Sequence, residues 1–391
     1  MDCINVDRIK IDAPRILNDS REMLQDLCAV FEHFAAHEVP HSPLYQAACQ
    51  AVSEAPDVAA QLNAAPPLER RPNLLLAAVH SLLLGVSSGT GDEAGLGPEG
   101  VALAAFYPNI TTAPLPPHEG AGEAFVAFCR AAARTLEPII ASRATQTNEV
   151  GRSSLLWPIL SDLSEGVGPL HLVEVGASAG LNLLLDRWAY ADADGVLLPG
   201  GDPSSPVRLR TRHHGVRPGN ASIAIASRTG LDRDPIDVAD PESAAWLLAC
   251  MWPDELDRFE RTRTAIEVAA ANPPRLCRGD AVDDLDLVIP PTGDAHLTIV
   301  TTWMLAYLDR SAQSVFAARL GAIGSTRDLT WVFAESPTYA PGVPWPEGSE
   351  GLSPGGETLA VEVTYRNGHR HAAVRARSHP HGRSIDWRVH T

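Results

Sequence analysis

A short stretch near the middle of the chain restricts the fold more than any other part of the sequence. Residues 172–182 read LVEVGASAGLN, in which an apolar run with strand character enters a turn of small residues and continues into an apolar helix. Glycines at 176 and 180 permit backbone conformations and close approaches that a side chain would prevent. This order is typical of α/β proteins that bind ligands at the carboxyl ends of their strands.

Two chemistries use such a turn. In the first motif of Rossmann-like methyltransferases, E/D-x-G-x-G-x-G, glycines let the backbone approach S-adenosylmethionine. The acidic residue of the strand, here Glu174, helps to place the amino acid portion of that cofactor. In α/β-hydrolases the pattern G-x-S-x-G forms the nucleophile elbow, and Gly176, Ser178 and Gly180 satisfy it literally. The dinucleotide fingerprint G-x-G-x-x-G is not met, and the remaining alternatives are a structural turn or a site for another ligand.

The surrounding sequence favours S-adenosylmethionine. A nucleophile elbow follows the fifth strand of its sheet and takes oxyanion donors from an earlier strand-linked loop, whereas the sequence upstream of the turn predicts helices and lacks an HGG-type segment. Glu174 would also be out of place in the central strand of a hydrolase, but it suits a carboxylate that faces a cofactor. The predicted cofactor-binding residues at the turn are Glu174, Gly176, Ala177, Ser178, Gly180 and Asn182.

The chain divides into two parts with different periodicities. The first predicts helices separated by Pro and Gly, at residues 18–37, 43–53, 73–84 and 122–141, the last one kinked or restarted at Pro138. The second alternates apolar strands with helices, which predicts a mostly parallel sheet covered by helices. Its predicted strands are HLVEVG, ASIAIA, PRLCRGD, HLTIVTT and LTWVFAES, and its predicted helices cover residues 179–187, 241–271 and 311–323.

These patterns predict an α/β protein. We expect an all-helical amino-terminal domain or lid over residues 1–150 and a Rossmann-like domain, similar to class I methyltransferases, over residues 151–391. An insertion at about 190–220 interrupts the second domain. The sequence ends in an antiparallel hairpin, because Asn367-Gly368 is a type I′ turn signal between two strand-like runs.

Residues after the later strands extend the predicted cofactor site. The Arg-Gly-Asp-Ala motif has a form common where such enzymes meet adenine, so Asp280 and Ala281 are expected there; alternatively, Asp280 caps the following turn. The next strand brings Thr302 and Trp303 to the carboxyl edge of the sheet. Trp303 either stacks on substrate or cofactor, as a catalytic candidate, or packs as an ordinary tryptophan. Asp232 is the favoured ribose-binding acid, and its rivals are Asp186, Asp192 and Asp234.

A polar cluster, QTNEVGR, lies shortly before the glycine turn. Asn148, Glu149 and Arg152 are catalytic candidates, with Arg152 meeting a carboxylate and Glu149 acting as a base or as partner of a cation. Alternatively, Thr147 or Asn148 caps a helix while Glu149 and Arg152 form a surface i,i+3 pair. His80, on an otherwise apolar helix, is a further candidate, although a satisfied core histidine is the favoured interpretation.

The chain resembles the bacterial family DUF2332. The resemblance is carried by LLAAVHSLLL, Phe106-Tyr107-Pro108, RATQTNEVGRSSLL, LVEVGASAGLNLLLDR, GLDRDPIDV, RGDA and Leu305-Ala306-Tyr307-Leu308. It covers most of the chain and implies little biochemistry, since the family is named for its lack of an assigned activity. The family pattern has His, then Ser or Thr, then a small residue just before Leu-Ala-Tyr-Leu, whereas this chain has Thr301, Thr302 and Trp303. This departure indicates specialisation toward a different substrate.

Composition restricts the partners. The 391 residues carry 31 Lys and Arg against 48 Asp and Glu, a formal charge of −17, so neither nucleic acid nor an anionic membrane is an expected partner. Six scattered cysteines, no secretory signal and no apolar stretch long enough to span a bilayer predict a cytoplasmic protein. No metal is expected, since no Cys or carboxylate spacing accompanies His369, His371, His379 and His381.

The sequence therefore predicts an S-adenosylmethionine-dependent transferase that acts on a small molecule, with methyl as the favoured group. Aminocarboxypropyl transfer or cyclisation of the same cofactor stays open, as do a serine hydrolase that uses Ser178 and a non-catalytic ligand-binding protein. The acceptor and the oligomeric state are not determined by the sequence, and a homodimer is compatible with it.

Overall fold

The computed structural model of the protein describes residues 20–39, 41–87, 93–216 and 222–389. Its described residues form two compact units. Residues 20–147 and 240–263 form one, called here the helical unit, and residues 148–239 and 264–389 form the other, called the sheet unit. None of the described helices combines the length and the apolar character that a membrane crossing requires.

The helical unit contains no strand among its described residues. Its helices are Ser20–His37, Pro43–Ser53, Pro56–Ala59, Pro72–Ser87, Glu93–Ala104, Ala121–Ala131, Ala133–Ser142, Pro241–Ala249 and the first half of Leu256–Ala271, joined by short 3₁₀ turns. Two predicted helices are each broken. Residues 122–141 restart at Ala132 rather than at Pro138, which lies in the second turn of the new helix and there removes only one hydrogen bond. Residues 241–271 break before Leu256, where Pro253 interrupts the helix.

The sheet unit carries twelve strands among its described residues. They are β1 Leu170–Val175, β2 Ala189–Ala191, β3 Leu197–Gly201, β4 Arg208–Arg210, β5 Arg212–His214, β6 Ile225–Asp232, β7 Arg275–Arg278, β8 His296–Thr302, β9 Leu329–Glu335, β10 Thr358–Arg366, β11 His369–Ser378 and β12 Ser384–Asp386. The helices of this unit are Ser153–Val167, the second half of Leu256–Ala271, Arg310–Gly324 and the short Ser349–Leu352. The expected mixed α/β class is confirmed.

Nine of these strands form one sheet in the order β5-β12-β11-β10-β9-β8-β1-β6-β7. The five strands β7-β6-β1-β8-β9 are all parallel, and β10 and β11 continue the sheet as an antiparallel hairpin. The turn of that hairpin has positive φ at Asn367 and Gly368, as the sequence signal predicts. A second, three-stranded sheet, β3-β2-β4, lies within the expected insertion.

Two other predicted elements differ in the structure. The strand expected at 221–226 is displaced, because β6 runs on through Ser227 and Arg228, whose side chains bond His171 and Asp186. These partners make a polar segment acceptable inside the sheet. The helix expected at 179–187 is a 3₁₀ helix, Leu181–Arg187, whose first backbone amide bonds the side chain of Asn148.

One face of the sheet forms the main core of the unit. Alternate residues of the central strands, among them Val173, Ile299 and Phe333, pack on Phe316 and Leu320 of the helix Arg310–Gly324. Each such side chain contributes roughly 1.5–3 kcal/mol by leaving water. This rigid face fixes the carboxyl ends of β1, β8 and β9, where the candidate site lies.

Candidate functional site

The glycine turn follows β1 directly. Residues 177–180 form a β-turn closed by the Gly180 amide, which donates to the carbonyl oxygen of Ala177 at 2.7 Å. Gly176, Ser178 and Gly180 all have positive φ, of 77°, 51° and 69°. Ser178 occupies the second position of this turn, where a positive φ usually requires glycine. Its backbone is therefore strained, at a cost on the order of 1–3 kcal/mol. Strain of this kind concentrates at functional sites.

Asp232, the last residue of β6, lies against this turn. Its Oδ2 accepts a hydrogen bond from the Ser178 amide at 2.7 Å, and its Oδ1 accepts one from the Asp234 amide at 2.9 Å. The three rival acids are engaged elsewhere: Asp186 pairs with Arg228, Asp192 accepts two backbone amides of its own turn, and Asp234 pairs with Arg278. Of the four predicted candidates, Asp232 is therefore the one held at the glycine turn.

Contacts within the protein explain why glycine is needed at two positions of the turn. A Cβ at Gly176 would lie 2.3 Å from Cγ of Met304, and a Cβ at Gly180 would lie 2.7 Å from Cγ of Pro274. The methionine follows β8 and the proline precedes β7. Packing of neighbouring loops therefore fixes the shape of the turn, with or without a ligand.

A network of buried polar side chains lies next to the glycine turn. Glu174 is 1% exposed, and its Oε1 accepts a hydrogen bond from Nδ2 of Asn182 at 3.2 Å. Asn182 in turn accepts one from the Ser153 hydroxyl at 3.0 Å, and Asn148 accepts the Leu181 amide at 2.8 Å. Glu174 Oε2 has no hydrogen-bond partner among the described residues. Burial raises the pKa of Glu174 to about 8, against opposing effects of Asn182 and Arg152.

Arg152 lies beside this network and is 9% exposed. Its Nη1 donates to the carbonyl oxygen of Thr302 at 3.1 Å and approaches the Thr302 hydroxyl at 3.4 Å, and its Nε donates to the carbonyl oxygen of Pro380 at 3.1 Å. Glu149 is fully buried and caps the short 3₁₀ helix that follows, by accepting the Gly151 amide at 2.9 Å. The alternative of an exposed Glu149–Arg152 pair is therefore wrong, because both residues are inside the unit.

Glu335 was not among the residues predicted from sequence. It ends β9, is fully buried, and its Oε1 accepts the amides of Met304 and Leu305 at 2.8 and 3.0 Å. Burial raises its pKa to about 7, while these amides and Arg152 lower it. Its Oε2 has no hydrogen-bond partner among the described residues. The only sequence signal for a role of Glu335 was its position as an acidic residue at the end of a mostly apolar strand.

The remaining predicted residues of the sheet unit have ordinary structural partners. Trp303 has a φ of 54°, donates from Nε1 to the Thr358 hydroxyl at 2.9 Å, and packs 5.7 Å from the ring of Tyr339. Asp280 caps the next turn by accepting the Val282 amide at 2.8 Å, as its alternative interpretation held. Ala281 packs at the edge of the core. Contact of Asp280 and Ala281 with adenine stays a prediction.

His80 belongs to the helical unit and not to this site. It is fully buried, with Nδ1 3.0 Å from the carbonyl oxygen of Ala249 and Nε2 2.9 Å from Nδ2 of Asn109. Burial lowers its pKa to about 4, so the ring is neutral, donates from Nδ1 and accepts at Nε2. This is the satisfied core histidine that the sequence favours. No group of three or more His, Cys, Asp or Glu residues in the described parts of the chain is arranged to hold a metal ion.

Comparison with known proteins identifies one family. Its model, described as an uncharacterized protein conserved in bacteria (DUF2332), matches residues 29–387 of the chain. No curated protein matches the chain.

Gly176→Ala should destabilise the sheet unit more than positive φ alone accounts for. The added Cβ meets Met304 in addition to the left-handed backbone, so we expect a loss of about 2–4 kcal/mol in the free energy of unfolding, measured by urea denaturation. Gly348→Ala is the matched control, because its φ of 81° is similar and open space surrounds it. Equal losses in both variants would contradict the role given to Met304.

The raised pKa of Glu174 should make stability depend on pH. A buried acid whose folded pKa exceeds its unfolded value stabilises the protein below the unfolded pKa, and that contribution disappears as the pH rises through the folded value of about 8. The unfolding free energy of the wild type should therefore fall from pH 5 to pH 9 more steeply than that of Glu174→Gln. Glu347→Gln, an exposed acid of the same unit, should keep the wild-type slope. Parallel profiles for wild type and Glu174→Gln would refute the assignment.

Proposed function

Because the chain belongs to the bacterial family DUF2332, whose description names no activity, we propose its function from the site: transfer of a group from S-adenosylmethionine to a small molecule. Methyl is the first group to test. The observation that carries this proposal is the hydrogen bond from the Ser178 amide to Asp232. It joins the turn after β1 to the acid that ends β6, the strand beside β1 in the sheet.

The topology around this contact supports the proposal. The chain runs from β1 outward to β6 and β7 on one side and then returns to β8 and β9 on the other, all parallel. The direction in which successive strands are added to the sheet therefore reverses between β1 and β8. Ligands of open α/β sheets bind at such a switch point, outside the carboxyl ends of the strands. The order β7-β6-β1-β8-β9, in which the first strand is central and later strands are added on both sides, supports a Rossmann-like interpretation of the sheet. It departs from the methyltransferase arrangement beyond β9, where β10 and β11 follow in simple sequence.

The residues at this edge suit the proposed cofactor. Asp232 accepts one amide at each carboxylate oxygen, so each retains a lone pair for a hydroxyl group of a ribose. The unpartnered Oε2 atom of Glu174 is a buried acceptor that an ammonium group would satisfy. The bound cofactor would supply a sulfonium that gives up a carbon group to a nucleophile.

The protein has a modest part in such a reaction. Alignment of the acceptor behind the sulfonium supplies much of the rate, so the rigid turn and the packed edge matter more than a single reactive side chain. Where the acceptor must lose a proton, Glu335 is a suitable base, because its pKa of about 7 lies near neutrality and one of its oxygens is unpartnered. Arg152 positions the end of β8 and Asn148 positions the residue after the glycine turn, while Glu149 caps the 3₁₀ helix that carries Arg152.

Isothermal titration calorimetry with S-adenosylmethionine and S-adenosylhomocysteine tests the proposal. We expect micromolar binding by the wild type and a loss of at least about tenfold in Asp232→Asn, which removes charge-assisted bonds to the ligand. Asp309→Asn is the control, since Asp309 caps the helix Arg310–Gly324 and asparagine caps equally well. Absence of binding to either compound at millimolar concentration would reject the proposal.

A serine hydrolase is the second candidate, favoured by the positive φ of Ser178, a feature of nucleophile elbows. The turn follows the first strand of the parallel series and not the fifth, and a 3₁₀ helix follows it, both unlike an elbow. If Ser178 is no nucleophile, a fluorophosphonate probe should label the wild type and Ser178→Ala equally little, as detected by mass spectrometry. Labelling of Ser178 that disappears in the variant would establish the hydrolase instead.

Two further alternatives share the cofactor site. Aminocarboxypropyl transfer or cyclisation would consume the same cofactor, and mass spectrometry of the products distinguishes both from methyl transfer. A protein that binds the cofactor without turning it over with any acceptor would be a ligand-binding module.

A further inference from the structure

A cleft of about 230 Å³ lies in the sheet unit beside β6 and β7. Two arginines on these strands line the cleft. Arg228 lies in the middle of β6, and Arg275 is the first residue of β7, paired with Thr229 of β6. Arg187 ends the 3₁₀ helix that follows the glycine turn and forms part of the same wall. The cleft therefore involves the beginning of β7, whereas the site proposed above lies at the carboxyl ends of the strands.

The lining of this cleft is unusual for so acidic a chain. Its lining residues include three arginines and no acidic residue, in a protein with a formal charge of −17. The local charge is therefore opposite to the average. Such a concentration of positive charge in a concave surface attracts anions.

The three arginines have different partners. Arg228 is held in place by Asp186, with Nη1 and Nη2 at 2.6 and 2.9 Å from its two oxygens, and by the carbonyl oxygen of Leu183 at 3.0 Å. Arg187 lies 3.9 Å from Asp186, beyond hydrogen-bond distance. The side chain of Arg275 is exposed and makes no hydrogen bond or ion pair in the described parts of the chain. Two guanidinium groups beside the fixed Arg228 thus keep donors for a ligand.

We propose that this cleft binds a phosphate group, an inference that goes beyond the cofactor site. Planar guanidinium groups match the oxygens of phosphate in pairs and hold them by charge-assisted hydrogen bonds. Leu184, Val268 and Pro273 line the cleft as well, so an ester can place a short carbon chain against them. The volume suits a small molecule, and the net negative charge of the protein opposes a nucleic acid backbone.

Phosphorus-31 line broadening at constant ionic strength tests the site with two probes, inorganic phosphate and glycerol 3-phosphate. The wild type should bind at least one of them with millimolar or tighter affinity, and Arg187→Gln and Arg275→Gln should each weaken binding roughly tenfold, the cost of about one charge-assisted hydrogen bond. Tighter binding of the ester identifies a phosphomonoester as the ligand, and equal binding identifies free phosphate.

Arg208→Gln is the matched control, because Arg208 is an exposed arginine on β4 that does not line the cleft. It should bind both probes like the wild type. No broadening by the wild type, or equal weakening in the Arg208→Gln variant, would overturn the proposal. Asp232→Asn should retain phosphate binding, so failure of the cofactor site and failure of this cleft are distinguishable.

Discussion

The buried guanidinium group of Arg152 joins three parts of the chain that are far apart in sequence. It bonds the carbonyl oxygens of Thr302 at the end of β8 and of Pro380 in the turn after β11, and its charge lowers the pKa values of Glu174 and Glu335. Loss of one partner from a buried ionic network typically costs 3–5 kcal/mol, because the remaining charge stays in a medium that solvates it poorly. Arg152 is therefore the cation that ties the end of β8, at the carboxyl edge of the sheet, to the turn after β11 and stabilises the two buried acids.

The rest of the candidate site depends on this edge. Met304 follows β8, covers Gly176 and is fixed by Glu335, which accepts its backbone amide. The glycine turn is consequently clamped between the loop after β8 and the acid that ends β6. A turn shaped in this way needs no ligand to order it, which lowers the entropic cost of binding one.

Some elements of the fold could be predicted from local sequence signals alone. The turn at Asn367 and Gly368 and the central strands follow from residues adjacent in sequence, since φ preferences and apolar runs act over short distances. The position of β6 and the role of Glu335 could not be predicted in this way. Arg228 can occupy a strand because Asp186, 42 residues away, neutralises it, and Glu335 acquires its role from amides 30 and 31 residues away.

The same distinction decides how the glycine pattern is understood. Gly176 and Gly180 satisfy a motif known from ligand sites, yet Met304 and Pro274 are sufficient reasons for glycine at both positions. Spacing along the chain cannot separate a glycine that admits a ligand from one that admits a neighbouring side chain, because both leave the same sequence. The contact between Ser178 and Asp232 is more informative, since it depends on the strand order and not on the motif.

The protonation of Glu174 links this edge to the chemistry proposed for it. With a pKa of about 8 the carboxyl group is mostly neutral at pH 7, so it does not present the negative charge that its place in the motif implied. A cationic group beside the unpartnered Oε2 would favour the ionised form and lower that pKa. Near pH 7, binding of a cation at this position would therefore be coupled to release of a proton from Glu174.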